Sequence, residues 1–297
     1  MSAWPAIGEP ELLERLAMSD EEFIALAIGW IQAVGPREFT DQIYERALEY
    51  PWTRPASSYL LTGEHVEPFD KVPPDVRDEV LSALAGGNVE RYPLLSFGSN
   101  GAPETLTLKF GHLAQEDRRL LVTSGNLYDF DVGAAAMPTV YGALPATIFP
   151  SPGTAVRASL LWVTTAQLVA LTWSEISYRL GRLGPVRFDP DKDEAPAVES
   201  VLAFVSRWGA HCVDGEAVAM QAIPAEGRVA RALTQEQLLD QIARSVFGDT
   251  ANARELVTRV MEDFSSTATT VGPVLRDTAR PFESERWTPF PASAVRG

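Results

Sequence analysis

The chain of 297 residues is 45% hydrophobic and carries a formal net charge of −15. This length and composition allow either one large core or a central domain with additions. The excess of acidic residues argues against non-specific binding to nucleic acid, which requires clustered Lys and Arg. No apolar run reaches the length that spans a bilayer, so we expect no membrane segment.

Cysteine and histidine are too sparse to support disulfide or metal chemistry. Cys212 is the single cysteine, which excludes an intramolecular disulfide. Together with the lack of a signal-peptide pattern, it predicts a reducing, cytoplasmic setting. His65, His112 and His211 show no ligand spacing. We therefore expect no bound metal and no cofactor.

The charge is distributed unevenly along the chain, which predicts its domain organisation. Residues 1–90 contain 17 acidic and 6 basic residues, whereas residues 91–188 contain 6 acidic and 8 basic ones. This contrast indicates a nearly neutral central module with acidic flanks. We expect an acidic helical N-terminal region over 1–90, an α/β domain over 91–225, and a helical C-terminal extension and tail over 226–297.

The N-terminal region has the spacing of amphipathic helices. Apolar residues recur every three or four positions over residues 9–50, and Ser19-Asp20-Glu21-Glu22 is typical of a helix start. A short strand is expected near residues 59–61, and a further helix from Pro73-Pro74. Because the apolar faces of these helices need a partner surface, we expect at least one flank to pack on the central domain.

The stretch Tyr92–Ala102 combines a buried strand, predicted for residues 93–97, with the turn Gly98-Ser99-Asn100-Gly101. Two glycines around Ser-Asn allow positive φ angles and a close approach to a ligand. Such a turn can direct several N–H groups toward one anion, such as a carboxylate. The alternative is a strand-to-helix turn that holds no ligand.

The rest of the central region alternates between strands and helices. Ser151-Pro152-Gly153 is expected to be a turn between two strands, and Thr164-Thr165-Ala166-Gln167 is expected to begin a helix. Asp214-Gly215 has the composition of a hairpin turn. Further strands are expected near 120–122, 127–132, 146–149, 156–163 and 178–188, a helix over 103–112, and C-terminal helices over 235–247 and 252–264, before a turn-rich tail.

Glu175 stands out because it is the only acidic residue between Val132 and Phe188. The overall content of 40 acidic residues in 297 would place about seven or eight in that window. An apolar setting disfavours the charged form of a carboxylate, which is a property required of a general acid or base. The alternative is a glutamate at a helix end that points to water or pairs with Arg179.

A second catalytic interpretation uses Ser99 as a nucleophile and His112 as its base. Ser99 lacks the G-x-S-x-G pattern, and the sequence does not show that His112 reaches it. The alternative for His112 is an ordinary surface or half-buried histidine. Cys212 is expected to be a thiol of the core.

Several motifs together resemble the γ-glutamyl cyclotransferase family. Phe97-Gly98-Ser99-Asn100 after a strand is similar to the family's Y-G-S-N motif. The segment from Ala146 through Ser151-Pro152-Gly153 to Glu175 resembles the family's path of strand, turn, strand and helix to its catalytic glutamate. The resemblance covers about residues 92–225. Phe97 replaces the tyrosine of the family motif, so that hydroxyl is missing.

The resemblance implies an α+β fold built on a mixed β-barrel, with helical regions added at both ends. It implies a small-molecule substrate with an amino-acid carboxylate, bound by Phe97, Gly98, Ser99, Asn100, Gly101 and Tyr178. It also implies that Glu175 acts as general base and then acid in an intramolecular aminolysis that releases 5-oxoproline. The alternatives are a non-catalytic binding or interaction module, or an amide-cleaving or acyl-transfer enzyme of specialised metabolism. The sequence does not indicate the oligomeric state.

Overall fold

A computed structural model describes residues 4–84, 90–175, 177–192 and 195–291. Helices and strands are both abundant, which confirms the α+β class. The helices are α1 (Pro10–Ala17), α2 (Asp20–Ala33), α3 (Asp41–Leu48), α4 (Pro74–Leu84), α5 (Pro103–Phe110), α6 (Thr165–Ser174), α7 (Gln235–Phe247), α8 (Ala253–Glu262) and α9 (Phe264–Thr278).

The strands vary from two to eighteen residues in length. They are β1 (Tyr59–Thr62), β2 (His65–Pro68), β3 (Tyr92–Ser96), β4 (Arg119–Ala134), β5 (Ala146–Val163), β6 (Tyr178–Leu183), β7 (Phe188–Pro190), β8 (Val201–Ser206), β9 (Cys212–Val213), β10 (Glu216–Ala217), β11 (Ala219–Met220), β12 (Ala225–Glu226), β13 (Ala232–Leu233) and β14 (Trp287–Pro289).

Most strands form one mixed sheet, in the order β13-β11-β4-β5-β3-β8-β6-β14, with β1 and β7 also paired to β4. The β3–β8 and β11–β13 pairs are parallel. Within the described part of the chain β13 and β14 do not pair, so the expected closed barrel is wrong. The sheet stays open because helices and loops cover both of its faces, which removes the need to bury one face inside a barrel.

The central strands alternate between two hydrophobic clusters, one on each face of the sheet. Leu94 and its partner Leu161 pack in the cluster that also contains Leu168 of α6. Leu95 and its partner Leu160 pack in the other cluster, with residues of α7, α8 and α9. This two-residue period is the geometry of a strand buried on both faces. It fixes β3, and the turn that follows it, between two layers of helices.

The N-terminal flank packs on the central region, as expected from its apolar faces. Leu12 of α1 is fully buried in the cluster that contains Leu168 and Leu171 of α6. Strand β1 pairs with the first residues of β4, so this flank also extends the sheet. Ile28 is the exception, because 49% of its surface is exposed.

Two local predictions are wrong for physical reasons. The expected turn at Ser151-Pro152-Gly153 lies inside the continuous strand β5, where the β4–β5 register shifts and Gly153 takes a φ of 83°. The tail predicted to be turn-rich begins with α9, which contains Pro273. That helix persists because Phe264, Val271 and Leu275 bury one face.

Candidate active site

The glycine turn follows β3 and leads into α5. Residues 99–101 form one 3₁₀ turn, in which the Gly101 N–H donates to the Gly98 carbonyl at 3.1 Å. Gly98 has a φ of −109°, so the expectation of positive φ is wrong here. Glycine is needed for space instead: a Cβ on Gly98 would lie 2.9 Å from the Tyr50 hydroxyl oxygen and 3.1 Å from the Ala146 Cβ.

Side chains from the N-terminal region hold both ends of this turn. Arg54 Nη1 donates to the Phe97 carbonyl at 2.9 Å. The Tyr59 hydroxyl donates to the Gly101 carbonyl at 3.1 Å. Burial lowers the pKa of Arg54, which nevertheless remains a cation at neutral pH. The turn is therefore fixed by residues that lie about 40 positions upstream.

Glu175 lies at the C-terminal end of α6 and meets the glycine turn through its side chain. Its Oε1 accepts hydrogen bonds from Asn100 Nδ2 at 2.9 Å and from Lys109 Nζ at 2.8 Å. Lys109 Nζ also donates to Asn100 Oδ1 at 2.7 Å. The three side chains thus form a closed triangle, in which Glu175 and Lys109 are only 14% and 18% exposed.

The position of Glu175 explains why it needs a cation. A helix C-terminus carries a partial negative charge, which disfavours a carboxylate beside it. The Lys109 ammonium, from the last turn of α5, offsets this effect. Sequence reasoning missed Lys109, because a basic residue in the last turn of a helix is common and gives no functional signal.

A pocket with about 310 Å³ of empty space, part of it open to solvent, lies in front of this triangle. Its wall is formed mainly by aromatic residues and the glycine turn. The lining residues are Tyr50, Leu95, Ser96, Phe97, Gly98, Ser99, Asn100, Ala146, Glu175, Tyr178 and Phe204.

Two tyrosines bracket the Ala146 backbone at the start of β5. The Ala146 N–H donates to the Tyr50 hydroxyl oxygen at 2.9 Å, and the Tyr178 hydroxyl donates to the Ala146 carbonyl at 2.8 Å. Burial raises the pKa of Tyr50 to about 12 and that of Tyr178 well above its usual value. Both phenols are therefore neutral at physiological pH. Tyr50 was not expected from the sequence, since it lies in the N-terminal region.

The N-terminal helices also hold the outer side of the segment that carries Glu175. The Trp173 indole N–H donates to Glu9 Oε2 at 2.7 Å. The Arg15 guanidinium lies 4.7 Å from the Trp30 ring centroid and 5.2 Å from that of Trp173. Just beyond Glu175, Arg179 pairs with an aspartate of α2 and not with Glu175. These contacts anchor the end of α6 from both sides.

The remaining candidates lie elsewhere. His112 is exposed beyond α5, and no hydrogen bond among the described residues joins it to Ser99. Cys212 and His211 are buried next to each other at the start of β9. Within the described ranges, no group of three or more His, Cys, Asp or Glu side chains is arranged to hold a metal ion.

Two comparisons of the chain with known proteins return no match. A scan against protein-family models finds no match to the chain, and a search of curated proteins finds none either. The resemblance to γ-glutamyl cyclotransferases therefore rests on the sequence motifs alone. None of the helices in the described part of the chain has the length and apolar composition needed to cross a membrane.

Proposed function

We propose that this protein is a γ-glutamyl cyclotransferase-like enzyme, which cleaves a γ-glutamyl amide to 5-oxoproline and a free amine. One observation carries the proposal: Glu175 Oε1 and Asn100 Nδ2, 75 residues apart in the chain, lie 2.9 Å apart at a pocket lined by the glycine turn. The proposal includes a γ-glutamyl cyclotransferase-like arrangement of residues 91–225. It also includes a reducing, cytoplasmic setting, supported by the single cysteine.

The turn residues Gly98, Ser99 and Asn100, which line the pocket, would bind the substrate's α-carboxylate through their polar groups. Lys109 adds a positive charge next to Asn100. The pocket has an apolar wall formed by Phe97, Phe204 and Tyr178. This wall would fold the substrate so that its amine meets its own γ-carbonyl. Such intramolecular contact supplies much of the rate through proximity.

Glu175 would move the proton. Among the described residues, the hydrogen bonds to its carboxylate both end on Oε1, and we assign Oε2 to the substrate's α-amine. Oε2 takes a proton from the amine as its nitrogen attacks the γ-carbonyl carbon. The tetrahedral intermediate then collapses, the original C–N bond breaks, and the carboxyl returns the proton to the departing nitrogen. One carboxyl group that works first as base and then as acid completes the reaction.

A mass-spectrometric assay for 5-oxoproline, with a panel of γ-glutamyl amines and peptides, tests the proposal. We expect wild type to turn over at least one member, and Glu175→Gln to lose about 10²–10⁴-fold in kcat. Glu104→Gln is a matched control, because that glutamate is 63% exposed on α5 and pairs with Arg46. Equal turnover by wild type and Glu175→Gln would remove Glu175 from the mechanism.

A second function is favoured by the ion pair itself. Because Glu175 already has an ammonium partner at 2.8 Å, the pocket is also suited to binding a zwitterionic amino-acid derivative without reacting with it. Saturable binding of a γ-glutamyl amide by calorimetry, with no product from any panel member, would support this binding module over the enzyme.

A further inference from the structure

Position 97 carries a phenylalanine and so lacks the hydroxyl of the family motif, but the hydroxyl of another residue lies at the same pocket. Tyr50 follows α3 in the N-terminal region, and its side chain lines the pocket beside Gly98 and Ser99. The hydroxyl oxygen lies so close to Gly98 that any side chain there would contact it at 2.9 Å. A residue 48 positions upstream of Gly98 thus fills the space in front of the turn.

Hydrogen bonds hold the Tyr50 hydroxyl oxygen in place at the pocket wall. Its oxygen accepts the Ala146 N–H at 2.9 Å, and the Ser99 backbone and hydroxyl lie against it as well. The opposite side of Ala146 is fixed by Tyr178. The ring is held by an edge contact with Trp52 at 5.5 Å and by stacking on Tyr141 at 6.4 Å. The phenol is therefore a neutral, preorganised donor.

A donor of this kind matches the chemistry of the proposed reaction. When the amine attacks the γ-carbonyl carbon, negative charge develops on the carbonyl oxygen. Preorganised donors that face this oxygen lower the barrier, because they need no reorientation during the step. The Glu175 carboxylate and the Lys109 ammonium are already bonded to each other. The Tyr50 hydroxyl lines the pocket beside the turn and can serve as such a donor.

We propose that the Tyr50 hydroxyl donates a hydrogen bond to the γ-carbonyl oxygen of the substrate and stabilises the oxyanion of the tetrahedral intermediate. This inference rests on the proposed function. It makes Tyr50 a catalytic residue and makes the N-terminal region part of the active site. The proton of the phenol stays on Tyr50 throughout, so the proton balance between Glu175 and the substrate is unchanged.

The first test is Tyr50→Phe in the full chain, with Tyr141→Phe as the matched control. Tyr141 stacks on Tyr50 and is partly buried, but its hydroxyl faces Thr139. With the 5-oxoproline assay we expect Tyr50→Phe to lose about 10²–10³-fold in kcat with little change in KM, as for the loss of one oxyanion donor. Tyr141→Phe should keep both constants near the wild-type values.

The second test covers a Tyr50→Phe variant that does not fold. Tyr50→difluorotyrosine keeps the ring and the hydroxyl but lowers the pKa of the phenol. If the proton is needed, kcat should fall at alkaline pH in a range where wild type stays constant, and the same replacement at Tyr141 should not produce this loss. A purely structural tyrosine would leave the pH profile unchanged.

The outcomes separate the two proposals. Wild-type turnover with an unaltered kcat in Tyr50→Phe, or with no alkaline loss in the difluorotyrosine variant, overturns the role of Tyr50 and leaves Glu175 in place. A wild type that turns over no panel member overturns both. Loss of kcat in Tyr50→Phe alongside an active Tyr141→Phe supports both.

Discussion

Two ion pairs, one fully buried and one partly buried, contrast the carboxylate of Asp131 with that of Glu175, which we propose to be catalytic. Asp131 is fully buried, and both of its oxygens accept from Arg228, at 2.7 and 2.8 Å. The Val132 N–H donates to it as well, and Arg228 also donates to the Ile223 carbonyl. Among the described residues, the hydrogen bonds to Glu175 both end on Oε1, and its side chain lines a pocket.

The difference lies in the hydrogen-bonding capacity that remains. Asp131 is fully buried with partners on both oxygens, so its partners hold the charge and no ligand reaches it. Lys109 and Asn100 fix the orientation of Glu175 through Oε1, and the proposed reaction assigns Oε2 to the substrate. Both carboxylates adjoin the same apolar stretch of sequence, so burial and composition do not distinguish them. The geometry of the partners does.

The largest stability effect should come from Asp131. Asp131→Asn leaves the Arg228 charge buried without its counter-ion, and we expect a loss of about 3–5 kcal/mol in the free energy of unfolding. Glu175→Gln should cost about 1 kcal/mol or less, because Lys109 is partly exposed and its charge stays hydrated. Urea denaturation measures both, and the i,i+4 partner of Arg259 provides a surface control, Glu255→Gln. Equal losses for Asp131→Asn and Glu175→Gln would contradict the distinction.

His211 extends the comparison to a buried group whose ring nitrogens have no hydrogen-bond partner in the described part of the chain. Burial lowers its pKa from 6.5 to about 4. The unfolded chain therefore binds a proton below pH 6.5 while the folded protein resists it until about pH 4. The free energy of unfolding should fall across that window as pH is lowered, by about 3 kcal/mol in total.

His211→Leu should remove this component of the acid sensitivity. Denaturation curves at neutral pH and at about pH 4.5 measure it, since the unfolded-state histidine is protonated at the lower value. A variant whose stability falls between the two conditions as much as that of wild type would show that other groups cause the loss.

The smallest effect that we expect on activity comes from Lys109, the lysine bonded to Glu175. Lys109→Met removes the cation that orients both Asn100 and Glu175. Misplacement of these groups should lower kcat/KM by about 10–100-fold. Lys109→Arg keeps the charge and should retain more activity than Lys109→Met. Steady-state kinetics with the best member of the panel compares them; equal losses for the two variants would indicate that charge is not what Lys109 contributes.

Local signals in the sequence predicted the elements that carry the site. The capping box at Thr164 and Gln167 marks the start of α6. The apolar face of this helix predicts its length, which places Glu175 at the helix end. The start of α2 at Ser19 and the hairpin at Asp214-Gly215, where both residues have positive φ, were equally readable. In each case the interactions that determine the structure lie within a few residues.

Long-range partners were not predictable in the same way. Tyr50 and Arg54 reach the glycine turn only because the N-terminal region packs against the sheet, and no local pattern encodes that contact. Lys109 looks like any basic residue at a helix end. The helix α9 was missed because Pro273 argued against it, although its buried face compensates for the lost hydrogen bond. Tertiary packing determined the structure at these places.

The pairing of β1 with β4 has a consequence for how this chain can be cut. Removing residues 1–90 would take away the strand that covers Arg119–Val122. The backbone N–H and C=O groups of that segment would be left unpaired along an apolar edge that includes Leu120, Leu121 and Val122. Such an edge is a template for intermolecular strand addition. The excised central segment should therefore aggregate, so the N-terminal region protects the chain from self-association.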